Sequence, residues 1–236
     1  MTSFMTFVVA EIGINWDGDL ELAKEMILQS KKCGCNAVKF QAFTEETVKE
    51  HPEKNRLIKS SISKENIESI HKFAKNANIE WFCTPMYLDA VSLIEPFVKK
   101  IKIRYGDGKI LFENKSSKLI DAILRTEKDV IISSEINPKK LKIYNNPKIK
   151  WLNVVPKYPC TFEEINFTEI NDFDGYSNHC PNIIAPITAS ILGANIIEVH
   201  ITSDKKQKFI DNPVSFDYNE LEQMVNQIRN CERIKK

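Results

Sequence analysis

No stretch of this 236-residue sequence approaches the roughly 20 consecutive apolar residues that a membrane span needs. Surplus charge is equally scarce. The 33 lysines and arginines stand against 32 acids and leave +1, so neither a nucleic-acid nor a membrane-surface partner is expected. The six cysteines are scattered, without the paired spacing of a zinc site. Their one close pair, Cys33-Gly34-Cys35, falls where a helix gives way to a strand, and reads as small free thiols of a cytoplasmic protein. The start, MTSFMTFVVAEIGINWDG, has neither a basic n-region nor a long apolar run, so no signal peptide is expected. Neither a low-complexity tract nor a linker-like stretch interrupts the chain, and we expect one domain over residues 1–236.

What the sequence has is alternation. Strand-like runs appear at FVVAEIG (7–13), AVKFQAF (37–43), IEWFCTP (79–85), KIKIRYGD (100–107), DVIISSEI (129–136), IKWLNVVPKYP (149–159), DGYSNH (174–179) and NIIEVHIT (195–202). Each is followed by a helical pattern, from the amphipathic DLELAKEMILQSKKCG, opened by an Asp and closed by Gly34, to the short NPKKLKIYNN and TFEEINFTEIND. The charged stretches KNRLIKSSISKEN and DKKQK read as solvated loops. Eight units of about 30 residues predict a parallel sheet with right-handed crossovers, most simply an α/β fold closed as a single (β/α)8 TIM barrel. An open doubly wound sheet is the alternative, but EIGINWDG lacks the Gly-rich first turn such sheets usually show.

Side chains alternate across a strand, so one parity faces the barrel lumen. In the eighth run Ile197, Val199 and Ile201 oppose Glu198 and His200; in the second, Val38 and Phe40 oppose Lys39 and Gln41. Ile101 and Ile103 oppose Lys102 and Arg104, Ala10 and Ile12 oppose Glu11, Ile132 opposes Ser133, and Ser177 shares its parity with His179. A buried parallel strand is normally apolar on both faces. Burying Lys39, Lys102, Arg104 and Glu11 unpartnered is costly, which predicts a polar or anionic ligand at the mouth, with a network of mutually satisfied charges as the alternative. His179 and His200 end neighbouring strands about 4.8 Å apart, close enough to share one divalent metal with its remaining positions open.

Together VVAEIGINWDGDLELAKEMI, AVKFQAF, FCTP, KIKI, VIISS, KYP, GYSNH and GANIIEVHITSD resemble the sialic acid (N-acetylneuraminate) synthase family over essentially the whole chain. The resemblance implies a metal-dependent, phosphoenolpyruvate-dependent transferase. Such an enzyme condenses phosphoenolpyruvate with an amino-sugar aldehyde, giving a nonulosonic acid and phosphate. It places a divalent metal, manganese first with magnesium or cobalt as alternatives, on His179 and His200. Phosphoenolpyruvate contacts fall on Lys39, Thr84, Lys102, Ser133 and Ser177, with Arg104 added as a compensating cation. Sugar contacts fall on Gln41, Asp107, Tyr158 and Asp211, and Glu11 matches an acid near the reacting carbons.

The sequence departs from the family pattern at Trp16, Tyr105, Glu135, Val155-Pro156, Asn178 and Val199. It ends just after the eighth helix, where the family continues into an antifreeze-like domain. The resemblance therefore implies a barrel without that domain, a homodimer or a separate subunit in its place, and an unassigned acceptor sugar. Two other functions compete: a catalytically eroded homologue that binds a ligand or partner, and a Schiff-base aldolase using Lys39 or Lys102.

Overall fold

Eight parallel strands close on one another in chain order: β1 (Phe7–Gly13), β2 (Ala37–Ala42), β3 (Glu80–Pro85), β4 (Lys100–Ile103), β5 (Asp129–Ser134), β6 (Ile149–Val154), β7 (Gly175–Asn178) and β8 (Ile196–His200), with β8 pairing back to β1. This is the expected (β/α)8 barrel. The computed structural model describes residues 5–234, so the first four and last two residues of the expected domain lie outside it.

Nine helices surround the strands among the described residues: α1 (Leu20–Lys32), α2 (Glu45–Val48), α3 (Lys54–Lys59), α4 (Ile67–Asn76), α5 (Leu88–Ile94), α6 (Tyr105–Gly108), α7 (Lys118–Arg125), α8 (Ile184–Ile191) and α9 (Tyr218–Ile234). The first shows how sequence sets the local structure. Asp19 accepts hydrogen bonds from the backbone of Glu21 and Leu22, which caps α1, and Ala23, Met26, Ile27 and Ser30 form its buried face. Gly34 then ends the turn at φ +88°, a region that side chains resist.

Outward-facing strand residues such as Val8, Phe40, Trp151, Tyr176 and Val199 pack under the helices, each fully buried. Removing such side chains from water stabilises the fold by about 1.5–3 kcal/mol apiece. Gly175 lets β7 lie close to β8, because a Cβ there would come within 2.0 Å of the Ile196 carbonyl oxygen. That close approach brings together the two strands that lead to His179 and His200.

Three expectations change. No α-helix follows β5 or β6, where only short 3-10 turns form at Pro138–Lys140, Phe162–Glu164 and Ile170–Asp172. NPKKLKIYNN and TFEEINFTEIND are short and rich in Asn, Thr and β-branched residues, too little to repay helix nucleation. KNRLIKSSISKEN is no solvated loop: it forms α3 and buries Leu57, Ser60, Ser61 and Ile62. Its charges hid the apolar spacing beneath them. Residues 205–208 of DKKQK are exposed as expected, though Lys205 pairs with Glu220. None of the described helices is long and apolar enough to cross a membrane.

Candidate active site

Strand register explains the lumen. Directly paired residues of parallel strands share a face, and the pairs include Glu11 with Lys39, Glu11 with His200, Gln41 with Thr84, and Ser177 with Glu198. These side chains converge on a cavity of about 730 Å³ at the C-terminal ends of the strands. Of the residues expected there, Glu11, Lys39, Gln41, Thr84, Lys102, Arg104, Ser133, Tyr158, Ser177, His179, His200 and Asp211 all line it.

The floor is a charge network. Lys39 Nζ lies 3.3 Å from Glu11 Oε2 and 3.3 Å from Glu198 Oε1, while Lys102 Nζ donates to both Glu198 oxygens at 3.1 Å. Ser177 Oγ donates to Glu198 at 2.8 Å, Lys39 donates to Thr84 Oγ1 at 3.4 Å, and Gln41 Nε2 donates to Glu11 Oε1 at 2.7 Å. The buried lysines therefore do not await a ligand for their counter-charge, and on this point the alternative of mutual satisfaction holds. Glu198 carries that network, and it was read only as the parity mate of His200. Its place in EVH, two residues before the histidine, is the signal that could have found it.

Burial shifts these groups in different directions. Desolvation raises the Glu11 carboxyl above its ordinary value against the pull of Lys39. Burial works against ionised Glu198 too, but Lys102 and Lys39 outweigh it and hold that carboxyl well below the usual range. Lys102 is pushed down to about 8 by burial, with the Lys39 charge adding to it and Glu198 opposing it. Burial also disfavours charged Lys39, yet Glu11 and Glu198 prevail and raise it. Ser133 Oγ is buried without a hydrogen-bond partner, a polar atom left for whatever fills the cavity.

Above the floor the two histidines stand 5.6 Å apart between ring centroids. His179 Nδ1 lies 2.7 Å from the Val155 carbonyl oxygen, which can only accept, so Nδ1 carries the proton and Nε2 keeps a free lone pair. Burial, with His200 adding to it, drives the His179 pKa down to about 3, so the ring is neutral. His200 Nδ1 faces Asp211 Oδ2 at 3.2 Å; burial opposes its charged form, but Asp211 prevails and raises it. Asp211 is held in turn by Asn15. That fully buried amide accepts from the Asp211 backbone at 3.1 Å and donates to the Ile201 carbonyl at 2.9 Å. Both imidazoles thus turn Nδ1 toward a protein oxygen, and Nε2 of His200 meets only the Tyr158 hydroxyl at 3.5 Å, an arrangement compatible with metal-ligating histidines. Among the described residues, no group of three or more His, Cys, Asp or Glu side chains is placed to hold a metal ion. Tyr158 is 56% exposed, yet its ring lies over His179 at 3.9 Å and its hydroxyl is 3.5 Å from His200 Nε2.

Two residues sit elsewhere than expected, Arg104 from strand parity and Asp107 from the family resemblance. β4 ends at Ile103, so Arg104 leaves the strand, lies exposed on the rim and donates from Nε to Asp107 Oδ2 at 2.7 Å. Asp107 does not line the cavity; it serves as the partner of Arg104. Trp16, which looked like a change at the mouth, is fully buried away from it and donates from Nε1 to the Ser60 carbonyl at 3.0 Å. Tyr105 does reach the cavity, and its hydroxyl donates to exposed Glu135.

A closed parallel barrel with a buried titratable cluster at its C-terminal mouth is the architecture of an enzyme. The chain belongs to the NeuB family, whose model matches residues 26–236. An uncharacterized protein of Methanocaldococcus jannaschii is 32% identical over 97% of this chain and 72% of its own length. The N,N'-diacetyllegionaminic acid synthase of Legionella pneumophila is 28% identical over 99% of this chain and 74% of its own. The solved N-acetylneuraminic acid (sialic acid) synthetase of Leptospira borgpetersenii, in complex with citrate, superposes at a TM-score of 0.85. It is 25% identical, covering 99% of this chain and 86% of that one.

Proposed function

We propose that the protein condenses phosphoenolpyruvate with the open-chain aldehyde of an N-acylated amino sugar, giving a nonulosonic acid and phosphate. One observation carries the reading: two buried imidazoles, with Nε2 of His200 met only by the Tyr158 hydroxyl at 3.5 Å, stand beside two buried lysines in one cavity. His179 and His200 fit a divalent transition ion through those Nε2 atoms, with solvent or substrate completing the coordination. When bound, such an ion supplies Lewis acidity toward the acceptor's carbonyl oxygen.

Lys39 and Lys102, with the hydroxyls of Thr84, Ser133 and Ser177, bind the phosphate and carboxylate of phosphoenolpyruvate by charge-assisted hydrogen bonds. This orients the C3 carbon toward the aldehyde carbon, and the new carbon–carbon bond forms between them. Water adds at C2, the C2–O bond to phosphorus breaks, and phosphate leaves. The adding water gives up a proton and the new alkoxide takes one. Glu11, the floor carboxyl with the raised pKa, is placed to hold that proton in between.

The test is phosphate release from wild type and His179→Ala, paired with manganese uptake by equilibrium dialysis. We expect release that requires phosphoenolpyruvate, metal and an acylated amino sugar together, and both release and uptake lost in the variant. No release across a broad panel of aldehyde sugars overturns the reading. One observation favours a second reading: the lowered pKa of Lys102 is what a Schiff-base lysine requires. Borohydride trapping of pyruvate on Lys102 would establish it, whereas a Lys102 kept charged by Glu198 gives no adduct.

A further inference from the structure

The cavity has two kinds of wall. Ile14, Phe43 and Leu57 form a small hydrophobic cluster separate from the barrel core, with Val48, Met86 and Ile210 packed against it. All six line the cavity. They follow β1, β2, β3 and β8, which are consecutive around the barrel, so they make one continuous face, while Arg104, Tyr105 and Ser133 belong to the β4–β5 side.

That face is held in place. Arg56 of α3 donates to both carboxylate oxygens of Asp17 at 2.7 and 2.5 Å and to the Lys208 carbonyl, and lies 5.8 Å from the Phe209 ring centroid. One guanidinium thus ties together the segments after β1, β2 and β8 that carry Ile14, Leu57 and Ile210. Beyond the apolar face the rim bears Glu46, Lys49 and Glu50, with the lysine 2.7 Å from Glu46. His51 lines the same rim, and among the described residues the lysine there is already paired with Glu46.

We infer that this face receives the far end of the acceptor and selects methyl-bearing groups, deoxy carbons and N-acyl methyls, over hydroxyls or a phosphate. The inference rests on the proposed condensation, which brings an acylated sugar into this cavity. A hydroxyl set against Ile14, Phe43 and Ile210 gives up water without a replacement partner, and a phosphate gives up far more. An apolar pocket discriminates an added hydroxyl by roughly 10- to 100-fold.

The experiment uses reduced sugars, which bind without reacting, and reads their affinity by calorimetry on the full chain. The probes are 2-acetamido-2-deoxyhexitol, its 6-deoxy counterpart and its 6-phosphate; phosphate release is then measured with the matching aldehydes. We expect the 6-deoxy compound to bind roughly tenfold or more tighter than the hydroxyl compound, and the phosphate weakest. Val48→Ser and Met86→Gln, two partly buried positions tested separately, should each narrow that preference. Equal or reversed affinities, or binding of none of the three, overturn the inference. Selective binding without phosphate release keeps the apolar face and sinks the condensation, whereas release that favours the hydroxyl or phosphate acceptor does the opposite.

Discussion

The mouth of the barrel is built in two ways on its two sides. At the ends of β7 and β8 the polar groups are buried, or half-buried in the case of Asp211, and each is fixed by another: His179 by Val155, His200 by Asp211, Asp211 by Asn15, and Glu198 by Ser177, Lys39 and Lys102. After β4 and β5 the polar groups lie on the surface and pair among themselves, Arg104 with Asp107 and Tyr105 with Glu135. Buried, over-determined groups cannot adjust to a ligand, whereas exposed pairs exchange partners at little cost. The chemistry should therefore depend on the β7–β8 side and tolerate change on the other.

Glu198→Gln tests the fixed side most severely. It keeps the shape and an acceptor for Ser177 but leaves two buried lysines short of a counter-charge, which should cost about 3–5 kcal/mol of stability. A buried Lys102 without its partner escapes by losing its proton. Its folded pKa then falls further below the unfolded value, so the deficit should grow as pH is lowered from 9 to 6. Urea melts across that range give both results, and a variant as stable as wild type would mean that the network is ornamental.

Asp211→Asn comes next. The carboxylate faces Nδ1 of His200, so on the proposed reading the variant should fold normally and lose roughly 10- to 100-fold in manganese affinity. Equilibrium dialysis reads this directly, and an unchanged affinity would place Asp211 with the sugar instead.

How far the site could be read from sequence follows the same division. Parity along single strands placed Glu11, Lys39, Lys102, Ser177 and His200 in the lumen, because alternation is local and survives wherever a strand is regular. The role of Glu198 was only partly local: its place in EVH marks a lumen position beside Ser177, but its lysine partners lie on β2 and β4, on other sides of the barrel, and no spacing within EVH announces them. Arg104 was misplaced because alternation was carried one residue past the last pair of β4. Trp16 misled differently. It stands where a polar mouth residue was looked for, but α3 covers it and offers the Ser60 carbonyl to its indole. The cover came from a charged segment whose helix was hidden by its own lysines.

The Lys102 ammonium gives a smaller, graded effect. A bound phosphate or carboxylate favours the charged lysine, so phosphoenolpyruvate affinity should be flat below its pKa of about 8 and fall up to tenfold per pH unit above it. Calorimetric titrations from pH 6.5 to 9.5 would show the bend. Lys102→Arg, which stays charged throughout, should remove the bend if it still binds the ligand.

The smallest effect belongs to the exposed side. Arg104→Ala removes an ion pair on an open rim, where such pairs contribute about 0–1 kcal/mol to stability. Freed from Arg104, Asp107 still lies off the cavity and does not become an unpaired charge inside it. Stability should be unchanged within that range and phosphoenolpyruvate affinity should fall by less than about tenfold, with the loss shrinking as salt is raised. A larger loss that salt does not relieve would mean that Arg104 swings off Asp107 onto the bound phosphate. The exposed side would then be part of the binding machinery, and the contrast between the two halves of the mouth would hold only for the empty cavity.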